Sequence, residues 1–250
     1  MEKRELAEAR SQFVVMGNDL VQKSRYNLTL LEQKLVLFMV SKIKPYDEPG
    51  SDYIFSFNEF EEVCNLNKDG GKSKRLVYSM LLDLKTKPIE IRLSEKRVLI
   101  TSWFNNALFD AETDTVRIDF SKYLTPYLYD IQKLYTQFCL ENVLAMKSKY
   151  SVRLYEYLKS IKSLNYKQTI PLDELKVHMG AEKYSLYKDF RVRALEPAIE
   201  EINEYTDLDI RWEEHKTGRK VSRITFIILL SNDPDRYLNR QRELNGKNGR

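Results

Sequence analysis

One succession of hydrophobic patterns occurs twice in this chain, and it limits the folds open to it more than any single motif. Leu35 and Met39 precede Leu154 and Leu158 by about 119 residues. Phe57-Asn58-Glu59-Phe60 precedes Leu172-Asp173-Glu174-Leu175 by about 115, and Val77, Leu81 and Leu84 precede Leu195, Ile199 and Ile202 by about 118. Few residues are identical between the copies. Element order is what repeats, so the chain reads as a duplicated module.

The first copy follows from its periodicities. Asn27 or Thr29 can cap a helix whose stripe is Leu31, Leu35, Phe38, Met39 and Ile43, and Pro45 follows its end. Tyr53–Phe57 alternates as a strand does, after an earlier apolar run at Phe13–Met16. Asn58 is expected to cap a short helix through Cys64, with Glu61 as its capping-box partner. Asp69-Gly70-Gly71 reads as a turn before a helix from Lys72 to Lys85. Beyond Pro88 the pattern turns to strands: Ile89–Leu93 and Val98–Phe104 around Ser94-Glu95-Lys96, then Thr115–Phe120 after Asp110–Asp114.

The second copy runs in the same order. A helix spans Ser148–Leu164, Thr169-Ile170 is extended, and a short helix from Pro171 stops at Gly180. The Tyr187–Asn203 helix buries Phe190, Ala194, Ala198 and Ile202, and Leu208–Glu214 with Ser222–Leu230 forms a hairpin around Lys216-Thr217-Gly218-Arg219. Helix, strand, helix, helix and hairpin is the winged-helix form of the helix-turn-helix. The reading is therefore α+β, two tandem winged-helix domains related as a pseudo-repeat. We place the N-terminal domain at residues 1–132, the C-terminal domain at 133–231 and a flexible basic tail at 232–250.

In that fold the third helix enters the major groove and the hairpin wing lies along the neighbouring backbone or minor groove. Lys72, Ser73, Lys74, Arg75 and Tyr78 open the first recognition helix, and Tyr187, Lys188, Arg191 and Arg193 open the second. Lys96 and Arg97 sit at the turn expected to be the first wing. Lys216, Arg219, Lys220 and Arg223 sit on the second. Arg191 and Arg193 are the candidates for base edges, because a guanidinium pairs bidentately with guanine. Lys188 and Tyr187 suit phosphate contact or support. The net charge is only +4, so the case rests on where the cations cluster and not on their sum.

Other chemistries fit poorly. Gly71-Lys72-Ser73 resembles the end of a phosphate-binding loop, but that loop needs a glycine where Leu66 stands. A DNA-nicking tyrosine needs a metal held by clustered histidines, and His178 and His215 lie far apart. No enzyme activity, cofactor or metal is expected. Two distant cysteines, Cys64 and Cys139, fit a reducing compartment. The start, Glu2-Lys3-Arg4-Glu5, lacks the apolar run of a signal peptide, and no apolar run reaches membrane-spanning length. The expected location is a bacterial cytoplasm.

Several segments resemble the replication initiators of iteron plasmids, the RepA/RepE-type Rep proteins. They are Asn18–Thr29, Glu32-Gln33-Lys34-Leu35, Ser41-Lys42-Ile43, Lys149–Leu158 and, most clearly, Asp189–Asn203. The resemblance implies a protein that binds directly repeated double-stranded origin DNA. Its C-terminal domain would read the more defined part of each repeat, and its N-terminal domain would add backbone contacts and carry a homodimer interface. It further implies monomers that open the origin and help recruit the host initiator and replicative helicase, and dimers that repress or pair origins. The alternatives are a dimeric winged-helix repressor on an inverted repeat and a protein-binding scaffold of the same fold. For dimerisation the candidate surface is Val98–Phe104 with Val116–Phe120, within which Trp103 is expected to be core. Pro197 departs from a regular helix and predicts a kink or restart near Leu195.

Overall fold

The first helix of the repeated pattern, Leu30–Val40, is buried at every position from Glu32 to Val40. A helix buried on all sides must be surrounded, and the first unit is built around this one. Thr29 and Glu32 close its start as a capping box: Thr29 Oγ1 accepts the Glu32 N–H at 3.3 Å, and the Glu32 carboxylate accepts the Thr29 N–H at 2.9 Å. Lys87 meets the Glu32 charge at 2.7 Å, and Lys34 Nζ donates to the Leu144 carbonyl at 2.7 Å. Phe38 packs edge-on to Phe55 at 5.2 Å and against Phe60 at 5.4 Å, joining this helix to the next strand and the next helix.

The computed structural model describes residues 2–66, 71–162 and 166–245. One compact unit ends at Leu144 and a second begins at Ala145. The first contains α1 (Lys3–Arg10), β1 (Phe13–Gly17), α2 (Asn18–Lys23), β2 (Ser24–Arg25), α3 (Leu30–Val40), β3 (Asp52–Ser56), α4 (Phe57–Val63) and α5 (Gly71–Thr86). It continues with β4 (Ile89–Ser94), β5 (Arg97–Thr101), β6 (Phe104–Asp110), β7 (Thr115–Phe120), α6 (Thr125–Leu128), β8 (Tyr135–Cys139) and α7 (Glu141–Leu144). The second contains α8 (Lys149–Lys162), β9 (Lys167–Pro171), α9 (Leu172–Met179), α10 (Tyr187–Phe190), a π turn at Arg191–Leu195, α11 (Glu196–Tyr205), β10 (Leu208–Thr217), β11 (Lys220–Leu230) and α12 (Pro234–Asn245).

Strand pairing shows which hairpin is the wing of each unit. In the second unit the order is β10-β11-β9, and in the first a sheet of order β6-β7-β3 repeats it. In both, the strand between the first two helices of the motif pairs antiparallel with the returning strand of the hairpin, Tyr53 opposite Ile118 and Ile170 opposite Ile224. The wing of the first unit is therefore β6–β7. The β4–β5 hairpin, expected to be that wing, is an insertion after α5. It pairs with β2, Ser24 opposite Ile91, in a sheet of its own.

Three boundaries also differ from the sequence reading. The division lies at Leu144 and not near residue 132, because β8 pairs with β1 from Phe13↔Cys139 to Gly17↔Tyr135 and so belongs to the first unit. The cap of α4 is Ser56, whose Oγ accepts the Glu59 N–H at 3.0 Å, and Asn58 lies inside the helix. The expected flexible tail contains α12. Its Leu244 is buried, Arg240 donates to the Tyr205 carbonyl at 3.0 Å and Arg236 donates to that of Leu208. Residues 246–250, and the expected turn at Asp69-Gly70, lie outside the described residues. Trp103 is core, 2% exposed.

Two outcomes test this packing. Phe38→Ala removes the ring shared by α3, β3 and α4, and should lower stability by about 3–5 kcal/mol in urea titration. Burial pushes the Cys64 thiol up to about 12, so at pH 8 it remains a protonated, inert thiol in the folded protein. A thiol reagent should label half-buried Cys139 first and reach Cys64 only on unfolding.

Candidate nucleic-acid interface

The second unit presents its third helix through a sharp stop in the second. Helix α9 ends at Gly180, whose φ of +63° is a left-handed C-cap; its N–H bonds to the Val177 carbonyl at 3.1 Å. After the turn, α10, the π turn and α11 follow without a gap. Phe190, Ala194, Leu195, Ala198, Ile199 and Ile202 are buried, so the apolar stripe read from sequence faces the core. Pro197 has no N–H to give and its ring would crowd the carbonyl one turn back. The chain accommodates it with a π turn: the Glu196 N–H bonds to the Arg191 carbonyl, five residues back. The expected break near Leu195 takes this form.

The expected site residues of this unit fall into two groups. Tyr187 and Arg191 turn toward β10. The Tyr187 hydroxyl donates to Glu214 Oε1 at 2.8 Å, and Arg191 Nη1 donates to the same oxygen at 3.3 Å. Arg191 Nε donates to Glu196 at 2.7 Å, and its guanidinium lies 5.8 Å from the ring of Trp212. The hydrogen bond to Glu196 and that residue's charge raise the Arg191 pKa further, while burial and then Glu214 push the Tyr187 hydroxyl up. Arg193 and Lys188 turn outward. Arg193 is 68% exposed, with its nearest carboxylate, Asp189, 3.9 Å away. Lys188 is exposed and makes no ion pair among the described residues.

The second wing is as cationic as its sequence suggests. Thr217 pairs with Lys220 around a tight turn in which Gly218 adopts φ +62°, a conformation costly to residues with a Cβ. Lys216, Arg219, Lys220 and Arg223 are all exposed and unpaired among the described residues. His215 is tied into the strand pair, its Nε2 2.7 Å from Thr225 Oγ1.

The first unit departs from expectation. Lys72 and Ser73 lie in α5, and their side chains are outside the described residues. Arg75 is exposed, whereas Lys74 forms an ion pair with Asp114. Tyr78 is 48% exposed and sits edge-on to Phe109 of β6 at 5.1 Å. Lys96 and Arg97 are exposed, but on the inserted β4–β5 hairpin and not on the wing. The true wing tip, Asp110–Asp114, carries Asp110, Glu112 and Asp114. Asp110 Oδ1 accepts the N–H groups of Glu112 at 2.8 Å and Thr113 at 3.2 Å, and the hydrogen bonds from Thr113 hold its carboxyl below the usual range. The two wings therefore differ in sign. Strand register, set by residues far apart in the chain, hides this and the Glu214 contact of Arg191 from sequence reasoning; Glu196, five residues from Arg191, comes into reach through the π turn.

A family model described as "Initiator Replication protein, WH1" matches residues 13–159, and one described as "Initiator Rep protein, WH2" matches residues 171–228. The chain belongs to the family of initiator replication proteins. It is 29% identical over 251 residues to a replication initiation protein of Escherichia coli, covering 94% of this chain and 77% of that one. Its fold is similar to that of Pi initiator protein, solved in complex with iteron DNA, with TM-score 0.72 and 19% identity over 90% of this chain and all but 1% of the other (99% covered). It is also similar to domains 2 and 3 of RctB, with TM-score 0.51 and 13% identity over 86% of this chain and 82% of that one. Two winged-helix units are thus what this initiator has in common with its relatives.

The stop at Gly180 sets where the third helix begins. Gly180→Ala forces a Cβ into the left-handed region and should cost about 1–2 kcal/mol, read as a lower urea midpoint.

Proposed function

We propose that this protein initiates replication at a plasmid origin by binding directly repeated duplex DNA, iterons, through its two winged-helix units. The observation that carries the reading is the second unit's set of exposed cations on its third helix and wing: Lys188, Lys216, Arg219, Lys220 and Arg223, which make no ion pair among the described residues, and Arg193, whose only ion pair among them is the 3.9 Å approach to Asp189. Similarity to an initiator solved with iteron DNA supports the choice of ligand. Arg193 reads a base edge, and Lys188 and the wing cations neutralise phosphates. Arg191, held by Glu196 and Glu214, offers the remaining edge of its guanidinium in a fixed orientation, with Tyr187 as support.

The first unit adds contacts through α5, from Lys72, Ser73, Lys74, Arg75 and Tyr78. Its acidic wing tip is repelled by phosphate, so the helix and not the wing carries the unit's affinity. Lys96 and Arg97 supply further phosphate contacts from the inserted hairpin. A homodimer forms along β5, an edge strand on which Val98 and Ile100 are 52% and 65% exposed. Trp103, Phe104, Val116, Ile118 and Phe120 are buried inside the unit, which narrows the expected dimer surface to that edge. The dimer supports a second role, autorepression at an inverted repeat, while monomers open the origin and help recruit the host initiator and helicase in the bacterial cytoplasm. The protein acts by binding and not by covalent catalysis.

Binding to tandem direct repeats, to one palindrome and to scrambled duplex across salt concentrations tests this reading. The expected result is preference for the phased repeats and a steep fall with salt, and equal binding to all three overturns it. Arg193→Ala should remove about 1–3 kcal/mol of discrimination against a wrong base while nonspecific binding persists. Unchanged preference refutes that assignment.

A further inference from the structure

On the proposed DNA-binding face an apolar side chain is turned out of the core. Val192 is 54% exposed, although it lies in the middle of a helix whose neighbours Phe190, Ala194 and Leu195 are fully buried. At about 100° per residue, two steps along the helix from Phe190 lead to the opposite side of the cylinder. Lys188, four residues before Val192, lies on that same outward ridge. Val192 is thus at the centre of the face turned away from the core, between Arg191 and Arg193 and above Lys188. If the helix enters a major groove, the residue opposite its core anchor goes deepest. A branched apolar side chain there has no hydrogen bond to offer. The one apolar feature a base edge presents in the major groove is the C5-methyl group of thymine.

We propose that Val192 is a specificity-determining residue that contacts a thymine methyl next to the bases read by its flanking arginines. This rests on the DNA-binding reading above. The cations on either side carry the affinity, and Val192 selects among sequences by burying a methyl group that cytosine and uracil lack.

Selection of bound duplexes from a random library, with the full chain and its Val192→Ala and Val192→Ile variants, tests this. The wild-type and Val192→Ile proteins should enrich a motif containing a thymine whose preference disappears in Val192→Ala, with the rest of the motif kept. Replacing that thymine by deoxyuridine should weaken wild-type binding about three- to fivefold, the worth of one buried methyl-sized group, and leave Val192→Ala unchanged. A motif identical in wild type and Val192→Ala, or wild-type binding indifferent to deoxyuridine at every thymine, overturns the role of Val192. A wild-type protein that enriches no motif overturns instead the sequence-specific reading on which it rests.

Discussion

The placement of both wings in this molecule depends on one strand pairing made twice. The short strand after the first helix of each module lies antiparallel to the returning strand of a distant hairpin, β3 with β7 and β9 with β11. Each pairing closes the core over its helices, and each fixes which hairpin projects as the wing. Tyr53 and Phe55 alternate inward on β3 with Val116, Ile118 and Phe120 on β7. A one-residue slip of β3 against β7 would turn Tyr53 and Phe55 toward solvent. Because burial sets the register so strongly, an insertion as long as β4–β5 can enter between α5 and the wing without disturbing either. It finds its own partner in β2.

The sequence made most of this legible, and the misses have a common cause. Helix α8 and the Tyr187–Asn203 segment announce themselves by period, since the stripe of one helix is a local property, whereas α3 is legible from its cap at Thr29 and its apolar run and is buried all round. The hairpin β10–β11 does so by alternation around Gly218. The wing of the first unit is hidden in the sequence because Ser94-Glu95-Lys96 is the first turn after α5 and carries a cation. Only pairing between residues more than sixty apart, Asp52 with Asp119, shows that the second hairpin belongs to the motif. The same holds for the boundary, where Phe13 meets Cys139, and for Arg191, whose partner Glu214 is on another element. The repeat does not signal the wing either: Ser94–Lys96 lies about 122 residues before Lys216–Arg219 and Asp110–Asp114 about 106, so the inserted hairpin is the nearer match to the offset of the helices.

Pro197 shows how a local rule can fail and still be informative. Its cost in a regular helix predicts an interruption, and the interruption is one π turn placed directly over the residues of the outward face. The wider turn spans Arg191, Val192 and Arg193, the part of the helix that the core does not hold. Glu196, the residue just before the proline, closes the π hydrogen bond through its backbone and grips Arg191 through its side chain. The proline and the orientation of Arg191 are therefore consequences of the same few residues.

The opposite signs of the two wings change what a net charge of +4 means. Averaged over the chain it argues for little. Resolved by element, the cations lie on the second unit's helix and wing and on α5 and the inserted hairpin of the first, while the first wing concentrates Asp110, Glu112 and Asp114. A carboxylate cluster beside a phosphate backbone weakens binding where it lies close and directs the approach of the unit that carries it. Within the first unit, Asp114 engages Lys74 at the start of α5, so one of that helix's cations is already held by a carboxylate. The corresponding cation of the second unit, Lys188, has no such partner to leave. The two units thus share a scaffold and differ in electrostatics: the second exposes the cations of its wing, and the first has an acidic wing tip that holds a cation of its own third helix.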